Sequence, residues 1–212
     1  MGYPVTMAEN CPGRQETSRF LRVGDQGLRF INCGGKGDDP GCITVMLSVW
    51  DLDELVLKFR SLGLKVEGPV RPSEPALMGL MSRKFPWREA MLDPIPGTSI
   101  SLGFVEYEEG ACFGSALRYE CANASEIGIE GIRAAHIYLP RWRDALQFLG
   151  LVFDDLRVMA NHAVVKAGEQ KLAFYETAND RASVHVEAST TARHLVSKSF
   201  SVRALRIENV KT

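Results

Sequence analysis

The sequence predicts an α+β fold of two β-α-β-β-β modules, and three observations carry that prediction. Ile43–Val49 is a short apolar run rich in β-branched residues, as a buried strand requires. At Asp51 the period changes, and Leu52, Leu55, Val56, Phe59 and Leu62 fall on one face of an amphipathic helix. The same passage then returns. Glu54–Gly68 (ELVLKFRSLGLKVEG) aligns with Asp144–Asp155 (DALQFLGLVFDD), with Leu62-Gly63-Leu64 against Leu149-Gly150-Leu151. A period of about 87 residues is too long for a solenoid and marks a duplicated module.

Residues 1–41 are expected to form an N-terminal arm and a hairpin. The first 18 residues are polar and carry Pro4, Pro12 and Gly13, which reads as a poorly ordered lead-in. Phe20–Val23 and Leu28–Asn32 flank Gly24-Asp25-Gln26-Gly27, a hairpin signal. Gly34–Gly41 is a loop whose glycines and Lys36 lack the phosphate-loop spacing.

The first module spans residues 42–109. Asp51 is a natural N-cap, Glu54 completes a capping-box pattern, and Gly63 supplies the C-terminal stop. Strands follow at Lys65–Val70, Arg88–Leu92 and Thr98–Tyr107, the last two joined by the turn Asp93–Gly97. Between them Arg71–Lys84, with Met78 and Met81, reads as a loop tucked against the sheet or as a lid over an apolar ligand. Residues 110–130 are a linker, in which Ser115–Cys121 is a candidate strand. The second module, residues 131–212, opens with the strand Ala134–Pro140. Its helix carries the stripe Trp142, Ala145, Leu146 and Leu149, and three strand-like runs follow at Val152–Arg157, His162–Ala167 and Lys171–Glu176. Ser183–Ala188 reads as a strand, Thr190–Ser197 as a short helix and Phe200–Val210 as a closing strand.

Bulk properties exclude several classes of function. The 212 residues, 45% hydrophobic, suffice for one large domain or two small coupled ones. A net charge of −1 with interspersed signs leaves no footprint for nucleic acid or an anionic membrane. The N-terminal stretch lacks a signal-peptide layout and no apolar run approaches a membrane span. Cys11, Cys33, Cys42, Cys112 and Cys121 are odd in number and scattered, which favours free thiols in a cytoplasmic protein. Neither a nucleophile elbow nor a dinucleotide-binding glycine motif is present.

The residues Val49-Trp50-Asp51-Leu52, Leu62-Gly63-Leu64, Leu92-Asp93-Pro94, Gly97 and Ile100–Leu102 resemble the layout of the vicinal oxygen chelate superfamily. That is the glyoxalase, bleomycin resistance protein and extradiol dioxygenase group. His136–Pro140 with Asp144–Gly150 resembles the opening strand and helix of the family's module. The resemblance covers roughly residues 42–188. It implies a glyoxalase-like fold in which paired modules curl a mixed sheet into a cup around a small-molecule substrate or ligand, in a protein that commonly forms a homodimer.

It also implies where chemistry would sit. A divalent metal (Fe, Mn, Ni or Zn) would be held by His, Glu or Gln on inward-facing strand positions, leaving sites for a substrate to chelate through two oxygens. Thr44 and Ser101 stand at the ligand positions of module one and are poor ligands for those metals. In module two His136, Glu176 and His185 could form a facial triad, with Glu208 as a fourth candidate. Thr44, Ser101, Tyr138 and Trp50 are the candidates to contact substrate. His162 and His194 read as surface residues, and Trp50, Trp87 and Trp142 as packing anchors first. Two functions stay open on these residues. One is a metal-dependent lyase, isomerase or dioxygenase; the other is a metal-free protein that binds or sequesters an aromatic or antibiotic-like molecule. A ferredoxin-like regulatory domain is a third reading, and it predicts a different strand order.

Overall fold

A computed structural model describes the backbone of residues 5–10, 17–23, 26–32, 43–76, 81–108, 129–167, 170–190, 199–202 and 205–211, and the side chains of residues 43–73, 84–108, 134–166 and 171–187. In chain order the strands and helices are β1 (Val5–Asn10), β2 (Thr17–Val23), β3 (Gln26–Asn32), β4 (Ile43–Ser48), α1 (Leu52–Ser61), β5 (Val66–Val70), β6 (Ser73–Ala76), β7 (Met81–Lys84), β8 (Trp87–Leu92), β9 (Ile100–Tyr107), β10 (Ile129–Leu139), α2 (Trp142–Val152), β11 (Arg157–Val158), β12 (His162–Ala167), β13 (Gln170–Glu176), β14 (Ser183–Thr190), β15 (Ser199–Val202) and β16 (Leu205–Lys211). The five cysteines, the Gly34–Gly41 loop, Met78, Ser115–Cys121 and His194 lie outside the described residues.

Two seven-stranded mixed sheets carry the architecture. Their orders are β1-β2-β3-β4-β9-β8-β5 and β11-β12-β13-β10-β14-β16-β15. Within them one pattern recurs: strand, helix, then a meander whose last strand lies parallel to the first. β4 pairs with β9 from Ile43 opposite Ile100 to Ser48 opposite Val105. β10 pairs with β13 from Ala134 opposite Lys171 to Leu139 opposite Glu176. Parallel neighbours need a crossover, and the helix supplies part of it. Three more strands extend each sheet on the far side of that first strand.

The helices form where local signals agree. Asp51 caps α1, its Oδ1 accepting the Glu54 N–H at 2.9 Å. Asp53 and Glu54 in the first turn and Lys58 and Arg60 in the last complement the helix dipole. Gly63 follows the C-cap at φ 78°, a left-handed conformation that glycine adopts without strain. Leu52, Val56 and Phe59 are buried on the sheet, and Phe59 meets Phe104 of β9 at 5.2 Å between ring centres. Burying Phe59 alone stabilises by about 2–3 kcal/mol. Leu62, counted in the same stripe, falls beyond the helix and is exposed. Arg88 of β8 fastens α1 to the sheet. Its guanidinium donates to Asp53 at 2.8 Å and to Glu106 at 2.5 and 3.0 Å, and these hydrogen bonds hold its pKa above the ordinary value.

One hydrophobic core joins both modules. It takes Val45 and Leu47 of β4, Leu102 and Phe104 of β9, Ile137 and Leu139 of β10, Phe174 of β13, and the inner faces of both helices. Trp142 packs against it from the edge. A small hydrophobic cluster on the opposite face of the first sheet gathers Phe85, Trp87 and Val105. Among the described residues no helix is long and apolar enough to cross a membrane.

Several expected boundaries move. The N-terminal lead-in contains β1, antiparallel to β2, because a strand flanked by a hairpin gains a ladder of backbone bonds that composition does not reveal. Part of the Arg71–Lys84 loop pairs as β6 with β7. β10 starts at Ile129, inside the expected linker. Val152 ends α2 instead of opening a strand, since its side chain completes the buried stripe of Ala145 and Leu149, and only Arg157–Val158 pairs afterwards. Thr190 belongs to β14, and the closing strand is a hairpin of β15 and β16. The Asp51→Ala variant should lose about 1 kcal/mol of stability through the N-cap alone, read as a lower denaturation midpoint with an unchanged m-value.

Candidate functional site

Strand alternation gives each sheet one face covered by helices and one face turned away from them. In the first sheet the second face carries Thr44 and Met46 of β4, Ser101 and Gly103 of β9, and Glu89 of β8, by the register of these strands. That face is closed by packing. Thr44 is 0% exposed and Ser101 is buried directly beside it as its register partner. A Cβ at Gly103 would lie 2.3 Å from Met46 Sδ and 3.0 Å from Thr44 Cγ2, so the glycine admits both side chains to the interior. Phe85 stacks on Trp87 at 4.4 Å nearby. Among the described residues the Thr44 hydroxyl oxygen finds no hydrogen-bond partner.

The corresponding face of the second sheet is different. Three register rows cross it: His162, Tyr175, Tyr138 and Ser183; then Val164, Ala173, His136 and His185; then Lys166, Lys171, Ala134 and Glu187. Three of the chain's four histidines therefore share this face with two tyrosines. Tyr175 lies nearly parallel to Tyr138 at 5.1 Å and to His162 at 5.5 Å, an aromatic row across three strands. His185 tilts against Tyr138 at 4.7 Å. His136 Nδ1 is 3.2 Å from the Tyr175 hydroxyl, and its Nε2 is 3.5 Å from Glu187 Oε2. The His136 and Glu187 side chains remain 24% and 33% exposed, so this face is half open. Burial, with Tyr138 and Glu187 beside it, raises the Tyr175 phenol above its ordinary pKa, which keeps it protonated.

The expected site residues separate on this frame. His136 and His185 come together as register partners, and Tyr138 joins them. Glu176 does not. It pairs with Leu139, a core residue, so alternation sends it to the other face, where it is exposed at the strand end. The register that matches Thr44 with Ser101 matches His136 with Ala173, so alanine holds the last-strand position. Glu208 of β16 sits in register with Glu187. Trp50 is 100% exposed in the bend before α1, away from both faces. Sequence reasoning missed Tyr175, His162 and Glu187. The alternation Lys171, Ala173, Tyr175 and the spacing His185, Glu187 were the signals available.

A divalent ion held as the resemblance implies does not fit these donors. Of the four first-strand and last-strand positions only His136 is a ligand type, beside Thr44, Ser101 and Ala173. Among the described residues no three of His, Cys, Asp and Glu converge as a metal would require. An open depression of about 270 Å³ lies elsewhere, between Arg71, Arg88, Glu106 and Glu108. Its guanidinium groups are already paired, Arg71 with Glu108 and Arg88 with Glu106, which leaves little charge for a ligand.

Two outcomes follow from these environments. Thr44→Val replaces an orphaned buried hydroxyl with a methyl of similar size and should raise stability by about 1 kcal/mol in a denaturation curve. The raised Tyr175 pKa means the unfolded chain releases its phenolic proton first. The associated stability is complete below pH about 10 and is lost as pH climbs through the native value, a fall that Tyr175→Phe should remove in alkaline denaturation.

No established family profile matches the chain, and no curated protein matches it. Solved structures do. A hypothetical protein from Staphylococcus aureus superposes with a TM-score of 0.63 at 11% identity, over 99% of this chain and 91% of that one. A variant of homoprotocatechuate 2,3-dioxygenase from B. fuscum gives 0.51 at 12%, over 99% of this chain and 64% of that one. A xylose isomerase-like TIM barrel/4-hydroxyphenylpyruvate dioxygenase fusion protein gives 0.53 at 15%, over 88% of this chain and 32% of that one. The chain thus spans under two thirds of either dioxygenase. At such identities the likeness is one of fold, and it is consistent with the α+β vicinal oxygen chelate fold expected from the sequence.

Proposed function

We propose that the protein binds a small planar organic molecule, without a resident metal, on the open face of the second sheet. One observation carries the reading: the row His162, Tyr175, Tyr138 with His136 and His185 beside it, on a face that stays half open. With their faces turned to one another, these side chains present ring edges, and each edge-to-face contact with a bound ring contributes about 0.5–1.5 kcal/mol beyond the area buried. The closed face of the first sheet supports the same choice of module, since its polar residues Thr44, Ser101 and Glu89 are buried.

A metal-dependent enzyme of the dioxygenase, isomerase or lyase type is the second reading. The register pairing of His136 with His185 favours it, and the absence of Glu176 from that face weighs against it. Elemental analysis of protein purified without chelator separates the two. Near one equivalent of Fe, Mn, Ni or Zn, lost in a His136→Ala/His185→Ala variant, would overturn the metal-free reading.

For the ligand itself, 2-naphthol followed by fluorescence anisotropy is the probe. The parent should bind it saturably. A Tyr138→Ala/Tyr175→Ala variant should weaken binding at least about tenfold, the loss of two edge-to-face ring contacts, whereas Trp50→Ala should bind as the parent does.

A further inference from the structure

We infer that Glu187, His136 and Tyr175 set the hydrogen-bond polarity of this face, so that it selects planar molecules bearing a hydroxyl donor over the same rings bearing only acceptors. The inference rests on the ligand reading above and deepens it. The three groups form a chain: Glu187 Oε2 is 3.5 Å from His136 Nε2, and His136 Nδ1 is 3.2 Å from the Tyr175 hydroxyl.

Each link constrains the next. A carboxylate is an acceptor only, and its negative field favours a proton on the ring nitrogen that faces it. In the neutral imidazole a proton on Nε2 leaves Nδ1 as a bare acceptor. The Tyr175 phenol must then donate its O–H to Nδ1. That hydrogen bond is the one the Tyr175 hydroxyl makes among the described residues. With its proton committed, the Tyr175 oxygen offers lone pairs and nothing else. Stacking between Tyr138 and His162 fixes the ring plane and so the direction of those lone pairs. A phenolic or enolic O–H at the edge of a bound ring is satisfied there. An ether or carbonyl oxygen at the same place faces another acceptor and has lost its water. Such an unpaired contact is the kind by which a polar site rejects an analogue that lacks the group.

The chain can be reversed by changing its first link. A donor in place of Glu187 would push the proton to Nδ1, turn Tyr175 into an acceptor from His136 and free the phenolic O–H to donate outward. The same ring site would then prefer an acceptor. This separates polarity set through His136 from simple shape complementarity, which the substitution would leave in place.

The test compares 2-naphthol with 2-methoxynaphthalene at about pH 8, above the ordinary imidazole range, by fluorescence anisotropy with the full chain. The parent should prefer the naphthol about fivefold, the worth of one net hydrogen bond. Tyr175→Phe should bring the ratio to about one while the ether still binds, and Glu187→Lys should bring it to one or below. Equal binding of the two probes by the parent overturns the inference while leaving the ligand site standing. A full naphthol preference retained in Glu187→Lys also overturns it. Failure of the parent to bind either probe overturns the ligand reading and the inference with it.

Discussion

The parallel pairing of the first and last strands of each module is the constraint on which the rest of the structure depends. Two parallel neighbours cannot be joined by a tight turn, so the chain must leave the sheet and return. In both modules it leaves through an amphipathic helix, α1 or α2, whose apolar side must then be buried. The helix covers one face of the sheet and in doing so assigns the other face to whatever the strand residues of opposite parity can do. Ile43, Val45 and Leu47 serve the core, so Thr44 and Met46 are committed to the other side. Ala135, Ile137 and Leu139 do the same for His136 and Tyr138. The placement of the candidate site residues is a by-product of where the helix has to lie.

Duplication then gives two such faces, and the chain uses them differently. The first is filled by its own side chains, with Gly103 allowing Met46 and Thr44 to come together and Trp87 and Phe85 stacked beside them. The second sets an imidazole and two phenol rings (His136, Tyr138 and Tyr175) at the register positions where the first has Thr44, Met46 and Gly103. A pair of modules sharing one core can leave one face open because the other, closed, face and the joint core retain the burial that stability needs. The ion pair from Lys58 of α1 to Asp154 after α2 also crosses the modules. Its partners are 34% and 82% exposed, so it adds little against the shared hydrophobic contacts.

How much of this was legible follows the range of the interactions. The cap at Asp51, the stop at Gly63 and the buried stripe through Phe59 are local, and the sequence showed them. His136 and Tyr138 were legible because alternation inside one strand needs no knowledge of its neighbour. Glu176 was misplaced because its role depends on the register of β13 against β10, and a one-residue change of register moves every side chain to the opposite face. The aligned position is Ala173, which no pattern of ligand residues would have drawn attention to. The same limit hid Tyr175, His162 and Glu187, whose meaning comes from the strands they lie beside. Val152 reads as strand because β-branched residues favour strands, and the gain from completing the buried face of α2 overrides that preference.

What singles out the second face as the candidate site is that its residues are poorly suited to a solvated sheet face or a packed core. A solvated sheet face is most economically built from charged residues and threonines, and Lys166 and Lys171 at one end fit that description. Two tyrosines and three histidines do not, since half-exposed rings forgo part of the burial that would stabilise them in a core. Nor is the cluster a core in the making, because His136 is held between a carboxylate and a phenol that an apolar interior would have no reason to keep together. Local choices that disagree with the demands of the fold concentrate at sites kept for another purpose. Here, among the described residues, that disagreement gathers on one face of the second module, while the equivalent face of its sister is filled by its own side chains.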